Sequence, residues 1–279
     1  MVHHPPSTIH QPPATSHQPP TTNLKLVMLV STDALVLHAF DYRETSRIVR
    51  LVTRELGVVS VIARGARRPK NKFGAALDLF ASGDVQLTTT PGRDLHALMS
   101  FEATRSRPEL AESLDRFAGA AALAELLLRF APEDADPGLL DTFSAALDEL
   151  GHATPGSAGP VALGGAWRLV AHLGFAPTLD SCASCHAALA ASVAVSFHHR
   201  AGGALCPACA GQARGARALP PEARDALRSW LGQLVTPALD GPSLRAHQRL
   251  LREFLEEHLT DGGRPLRAMV AWERHEMDA

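Results

Sequence analysis

The chain has 279 residues and a formal net charge of −2 at pH 7; 46% of its residues are apolar and 5% are aromatic. This length allows two domains or three small ones, and the aliphatic, Ala- and Leu-rich composition favours helical packing over a large β-sandwich. The charge excludes a uniformly basic protein but not a local basic surface. The sequence has no run of about 18 apolar residues, so we expect no membrane span.

The N-terminal segment, residues 1–22, is rich in Pro, His, Thr and Gln and has almost nothing to bury, which predicts a disordered leader. It lacks the apolar centre of a signal peptide. We therefore expect a cytoplasmic protein, whose thiols stay reduced. Met28 opens the first apolar run, so we expect it to be an alternative translation start.

Five β-prone runs follow, each bounded by turn residues. They read ALVLHAF, SRIVRLVTRE, GVVSVIARG, GDVQLTT and DLHALMSFEA. Five strands in about 75 residues are typical of a small closed barrel such as the OB-fold, which we place at residues 24–105.

After Pro108, the apolar residues recur with the spacing of a helix, which predicts an all-α domain over residues 106–279. In its first helix, a stripe of apolar side chains is predicted to face the core: Leu110, Leu114, Phe117, Ala121 and Leu128. Further helices are predicted at residues 138–150, 161–174, 221–235 and 243–259.

All four cysteines lie within the helical half, in the pattern C-x2-C-x20-C-x2-C. Two residues between the cysteines of each pair let both thiolates face one ion, and two such turns complete a tetrahedral sulfur site for zinc. We therefore predict a ribbon-like module at about residues 178–212 that holds one structural Zn²⁺ per chain through Cys182, Cys185, Cys206 and Cys209.

Other uses of these cysteines remain open. Disulfides are unusual in a reducing compartment, and a thioredoxin-like centre needs a βαβ setting that is absent here. A zinc deaminase requires His-x-Glu, which the sequence lacks, and four thiolates leave no position for a catalytic water. A family relic that binds metal weakly is a further alternative. His186, His198 and His199 could replace a ligand, but we expect them on the surface.

A basic segment, RGARRPKNK, leaves the third predicted strand. Together with three arginines before it, this segment could follow a phosphate backbone. The predicted DNA-binding residues are Arg43, Arg47, Arg50, Arg64, Arg67, Arg68, Lys70 and Lys72. A solvated surface loop is the alternative. The barrel region has few aromatic residues, several of which must be buried, so we expect binding led by charge rather than by base stacking, with little sequence preference.

Motifs for catalysis are missing. The sequence contains no G-x-x-x-x-G-K-[ST], no H-E-x-x-H and no G-x-S-x-G. We therefore expect neither an enzyme nor a nucleotide cofactor.

These features resemble the RecO family of bacterial recombination mediators over roughly residues 30–275. The most specific stretches are YRETSRIVRLVTRELGVVSVIARGARRPKNK, HLGFAPTLDSCASC and FHHRAGGALCPAC, and GGRPLRAM is similar to the family's closing segment, with Ala268 where Ser is expected. The resemblance implies an OB-fold that binds single- and double-stranded DNA and anneals complementary strands. It also implies partnership with RecR and with the tail of the single-stranded DNA-binding protein, indirect loading of RecA, and a place in the nucleoid.

The predicted architecture is thus an α+β multidomain protein with an N-terminal OB-fold barrel, an all-α domain and an inserted zinc-ribbon-like module that contains the four cysteines. The leading interpretation is a DNA repair and recombination mediator. The alternative is a zinc-ribbon adaptor that binds protein partners without direct contact to DNA.

Overall fold

The computed structural model describes Met1 and residues 27–73, 76–132, 134–190, 194–259 and 265–278. Apart from Met1, the predicted leader at residues 1–22 lies outside this range. The described part of the chain forms a β-barrel and a helical body, as predicted, and a small three-stranded sheet whose last strand lies beyond the predicted module. None of the described helices combines the length and apolarity that a membrane crossing requires.

The N-terminal part is a closed five-stranded barrel. Its strands are β1 (Met28–Tyr42), β2 (Ser46–Thr53), β3 (Gly57–Ala63), β4 (Ser82–Thr89) and β5 (Leu95–Arg105). Their order around the barrel is β1-β2-β3-β5-β4, with β3 and β5 parallel and the other neighbours antiparallel. The long strand β1 closes the barrel because its first half pairs with β4 and its second half with β2.

The barrel interior is filled by alternate residues of each strand, including Val49, Leu51, Val61 and Leu87. Alternation places successive side chains on opposite faces, so a Val- and Leu-rich strand can bury one face and expose the other. The segment between β3 and β4 also folds inward, and its Phe73 is 3% exposed. The barrel therefore has its own core.

The helical body contains most of the remaining chain. A 3-10 turn (Pro108–Ala111) precedes α1 (Leu114–Phe130), α2 (Pro137–Gly151), α3 (Ala158–His172), the short α4 (Pro207–Ala210), α5 (Pro221–Leu231), α6 (Gly241–Leu259) and α7 (Arg267–Asp278). The helix α7 was not predicted from the sequence.

The predicted apolar stripe on the first helix was wrong for two of its five residues, although Leu110 is buried as expected. Leu114 is 62% exposed and Phe117 is 37% exposed, whereas Ala120, Leu123 and Leu127 are buried. The helix α1 packs against α2, α3 and α7, so its buried side is wide and is set by a helix that the periodicity did not reveal. The helix also contains many alanines, so the sequence alone is compatible with more than one choice of buried face.

A small sheet lies in the cysteine-containing insertion. Its strands are β6 (Val195–His198), β7 (Gly203–Leu205) and β8 (Arg217–Leu219), in the order β7-β6-β8. A bridge between Thr178 and Gly203 ties the insertion together. A Cβ at Gly203 would lie 2.2 Å from the Thr178 carbonyl oxygen, so this contact requires glycine.

The barrel packs directly on the helical body. Leu35, Leu37 and Val52, on the outer side of β1 and β2, belong to the same apolar core as the helices. Beside this contact, the Arg54 guanidinium binds Asp33 of β1 at 2.9 Å and Asp141 of α2 at 2.8 Å. These hydrogen-bonded carboxylates raise the pKa of Arg54.

Candidate metal centre and nucleic-acid interface

The four predicted cysteines come together in space. Their sulfur atoms all lie within 4.8 Å of one another, and the Cys185 and Cys206 sulfurs are 3.9 Å apart. A tetrahedral zinc site with Zn–S bonds of about 2.3 Å places its sulfurs about 3.8 Å apart. None of the four forms a disulfide. The donor set and its spacing therefore fit a four-coordinate zinc ion.

Two tight turns shape this cluster. In the first, the His186 amide donates to the Cys182 carbonyl, and His186 has the left-handed φ of 61°. In the second, Cys206 precedes α4, which carries Cys209 at its third residue. The Cys206 amide donates to the Cys182 sulfur at 3.4 Å, which links the two turns.

The cluster needs a cation to hold four thiolates. Desolvation acts to raise the pKa of Cys182, but backbone amides of Cys185, Cys206 and Ser184 outweigh it and lower this pKa to about 6. The neighbouring sulfurs of Cys206 and Cys185 raise the pKa of Cys209 to about 12. One sulfur is thus stabilised as an anion while another is held protonated, and a bound Zn²⁺ would allow both to be thiolates.

The three histidines near the cysteines do not join the cluster. His186 is exposed, the His198 Nε2 lies 3.1 Å from the Arg214 carbonyl oxygen, and the His199 Nε2 lies 3.2 Å from Glu253. Burial lowers the pKa of His199, although Glu253 opposes this effect. Among the described residues, the sulfur cluster therefore consists of the four cysteines alone.

A buried arginine anchors the first cysteine turn to the helical body. The Arg224 side chain, fully buried on α5, donates to the carbonyl oxygens of Leu179, Leu189 and Ala190. Burial lowers the pKa of Arg224. One turn later on the same helix, the Arg228 guanidinium forms an ion pair with the Asp180 carboxylate. Both arginines stabilise the fold through these internal contacts and are not free for an external ligand. The sequence pattern did not reveal this structural role.

The predicted basic residues are divided among different environments. Arg43, Arg64 and Arg68 line one groove of about 860 Å³ at the turn between β1 and β2, together with Glu44 and Leu95. No ion pair joins these three arginines to a carboxylate within the described part of the chain. The groove therefore carries more positive than negative charge.

Two other predicted residues are paired internally. Arg47 binds Asp41 at 3.3 Å and Arg67 binds the same carboxylate at 3.2 Å. Arg67 also donates to the carbonyl oxygens of Arg43 and Glu44. Asp41 thus offsets part of the positive charge that the sequence placed here, and Arg67 shapes the turn that carries Arg43.

The remaining three predicted residues lie outside the lining of this groove. Arg50 is half-buried on the outer face of β2, and burial lowers its pKa. Lys70 is exposed, and Lys72 donates to the Met99 carbonyl while its ammonium lies 5.1 Å from the Phe73 ring. Of the eight predicted residues, the groove thus brings together Arg43, Arg64 and Arg68.

The aromatic residues of the barrel region are divided as well. Phe73, Phe80 and Phe101 are buried, as expected for core residues. Phe40 is 44% exposed on β1, and Tyr42 is partly exposed beside the groove. Phe40 and Tyr42 were not predicted as binding residues, although their alternate spacing at the end of a strand places both side chains on one face.

Comparison with known proteins assigns both halves of the chain to one family. The family model "Recombination protein O N terminal" matches residues 28–107, and the model "Recombination protein O C terminal" matches residues 111–267. These ranges correspond to the barrel and to the helical body with its cysteine insertion.

Curated relatives agree with this assignment. The chain is 36% identical over 236 residues to the DNA repair protein RecO of Symbiobacterium thermophilum, covering 82% of this chain and 87% of the relative. It is 34% identical over 250 residues to the DNA repair protein RecO of Myxococcus xanthus, covering 85% and 94%. From the two family models and these relatives, the chain belongs to the RecO family of DNA repair proteins.

Proposed function

We propose that this protein binds single- and double-stranded DNA, anneals complementary strands and, with RecR, helps to load RecA onto single strands coated by the single-stranded DNA-binding protein. It acts without catalysis of its own and without a nucleotide cofactor, in the cytoplasm and at the nucleoid. Membership of the RecO family supports the biological role.

The proposed DNA-binding site is the groove at the turn between β1 and β2. Its three arginines, Arg43, Arg64 and Arg68, face solvent without a paired carboxylate among the described residues. Cations on a closed barrel attract the phosphate backbone, and each phosphate they neutralise releases counterions. Two complementary strands repel each other, and a basic surface that screens this repulsion raises their local concentration.

The cysteine cluster supplies stability rather than chemistry in this proposal. Cys182, Cys185, Cys206 and Cys209 would hold one Zn²⁺, which joins two turns more than twenty residues apart. A four-thiolate site leaves no open coordination position for a substrate. Zinc binding is therefore expected to contribute to folding of the insertion.

The decisive experiment measures annealing of two complementary oligonucleotides, each first coated with single-stranded DNA-binding protein. We expect the protein to accelerate annealing without added nucleotide, and RecR to shift the outcome toward RecA loading. A parallel binding assay uses bare single strands at low and moderate salt.

Absence of both annealing and oligonucleotide binding would contradict the proposal. Co-purification with RecR or the coat protein together with that absence would favour the alternative, an adaptor that contacts protein partners through the zinc module.

A further inference from the structure

An exposed row of aromatic rings runs along the end of β1. His38, Phe40 and Tyr42 alternate along the strand after the register shift between Val36 and His38, and they pair regularly with Arg50, Ile48 and Ser46 of β2. Side chains two residues apart on a strand point to the same side, about 6.6 to 6.8 Å apart. These three residues, the outer aromatic row, therefore share the outward face of the barrel.

The row continues sideways as an apolar strip across the sheet. Phe40 pairs with Ile48, Ile48 with Ile62, and Ile62 with Ala97 on β5. Directly opposed residues lie on the same face of a sheet. Phe40 and Leu95 are 44% and 39% exposed, and Ile48 and Ile62 between them are partly exposed, so this strip is open to solvent at both ends.

Cations border the outer aromatic row. Arg50 lies opposite His38, and its buried Nε has no hydrogen-bond partner within the described residues. At the other end, the Arg43 guanidinium lies 5.2 Å from the centre of the Tyr42 ring. The face thus offers rings for stacking with positive charge beside them.

The backbone at Arg43 is strained. Its φ of 54° lies in the left-handed region, which disfavours a long side chain and suits Gly or Asn. Backbone strain of this kind concentrates where a ligand is held. Here it sets an arginine beside Tyr42, at the edge of the groove lined by Arg64 and Arg68.

From this arrangement we propose that the outer aromatic row stacks the unpaired bases of single-stranded DNA while the adjacent groove holds its phosphates. This inference rests on the DNA-binding function proposed above and changes its chemistry, because binding is then led by stacking as well as by charge. Phe40 is the central stacking residue, with His38 and Tyr42 on either side.

The chemistry of the face favours this occupant over a protein segment. Aromatic rings with arginines at both ends match a polymer that alternates flat bases and negative phosphates. Bases within a duplex are covered by their neighbours, so the row can contact bases of single strands and not those of intact duplex. The same face consequently gives a preference for single strands that charge alone would not give.

A test separates stacking from phosphate binding by using two oligomers of equal length and charge. One is a thymidine oligonucleotide; the other carries abasic sites in place of its bases. The wild-type protein is expected to bind the thymidine oligomer about tenfold more tightly, in line with the usual gain from stacking a base on an aromatic ring.

Substitution of Phe40 then tests whether the outer aromatic row causes this difference in affinity between the two oligomers. Phe40→Ala is expected to weaken thymidine-oligomer binding about five- to tenfold, with unchanged binding of the abasic oligomer and of duplex. Phe40→Leu, which keeps an apolar side chain but no ring, is expected to lose most of the same gain. Leu79→Ala, at another exposed apolar side chain, serves as the control.

Equal wild-type affinity for the two oligomers would overturn the stacking inference while leaving phosphate-led binding intact. Failure to bind either oligomer would instead overturn the proposed DNA-binding function. If Phe40→Ala binds DNA normally but loses a protein partner, the face is a protein-docking surface and the inference is wrong.

Discussion

Arg107 and Asp148 join the barrel to the helical body through a hydrogen bond of 2.6 Å between the arginine Nε and a carboxylate oxygen. The Arg107 side chain has no solvent exposure. Its remaining nitrogens donate to the Phe80 carbonyl and the Ser82 hydroxyl on the barrel side and to the Ser144 hydroxyl on α2. One buried guanidinium thus satisfies groups from both parts.

Removal of this guanidinium is expected to destabilise the protein strongly. Arg107→Met leaves the buried Phe80 carbonyl without its donor and Asp148 with Arg105 alone, which costs about 1–3 kcal/mol. The free energy of unfolding in urea measures this loss. Arg105→Met is the matched control, because Arg105 binds the same Asp148 at 2.7 Å but is 46% exposed, so its loss costs at most about 1 kcal/mol. Equal effects of the two substitutions would contradict this account of the junction.

The cysteine cluster predicts one zinc per chain. Cys206→Ser is expected to lower the zinc content and the thermal unfolding temperature together, because metal binding and folding of the insertion are coupled. Elemental analysis of protein prepared without chelators gives the stoichiometry.

His186→Asn is a suitable control for this experiment. It removes the imidazole that follows Cys185 in the sequence while keeping a residue type that tolerates the left-handed backbone at this position. Zinc content should stay unchanged, since His186 lies outside the sulfur cluster. Wild-type protein without zinc would refute the metal site.

The arginines of the groove are expected to contribute to the salt dependence of DNA binding. In Arg64→Gln/Arg68→Gln, the slope of log affinity against log salt for a single strand should become shallower by about 1.4, or about 0.7 for each lost phosphate contact. Arg200→Gln/Arg214→Gln removes the same charge from exposed positions in the cysteine insertion. An equal change of slope in this control would place phosphate contacts on the insertion as well.

The sequence predicted the local patterns well and the long-range contacts poorly. Cysteine spacing and strand alternation are local, so the sulfur cluster and the barrel strands could be read directly. The pairing of Arg47 and Arg67 with Asp41 depends on how a turn folds over a neighbouring strand, and charge counting could not reveal it. Arg224 was missed for a related reason, because an arginine in an amphipathic helix is usually at the surface.

Burial of His247 makes the stability of the helical body depend on pH. Burial lowers the pKa of His247 to about 4, and its ring packs against Trp230 at 5.0 Å between centroids. Because the unfolded chain binds this proton near pH 6.5, the stability is complete above that pH and falls as the pH drops from 6.5 to 4, by up to about 3 kcal/mol. Urea unfolding across this range should show the loss. His247→Leu should remove this part of the slope, whereas His152→Gln, at an exposed histidine, should retain it.

Asp41 limits the positive charge beside the groove, since one carboxylate binds both Arg47 and Arg67. Asp41→Asn keeps an oxygen that can accept from these arginines but removes the negative charge. We expect higher affinity for single strands and a salt slope that is steeper by about 0.7, the value of one additional phosphate contact. Glu222→Gln makes the same change of net charge at an exposed position on α5 and should leave the slope unaltered. If both substitutions strengthen binding equally, the effect comes from the total charge of the protein, and the barrel groove is not where the phosphates bind.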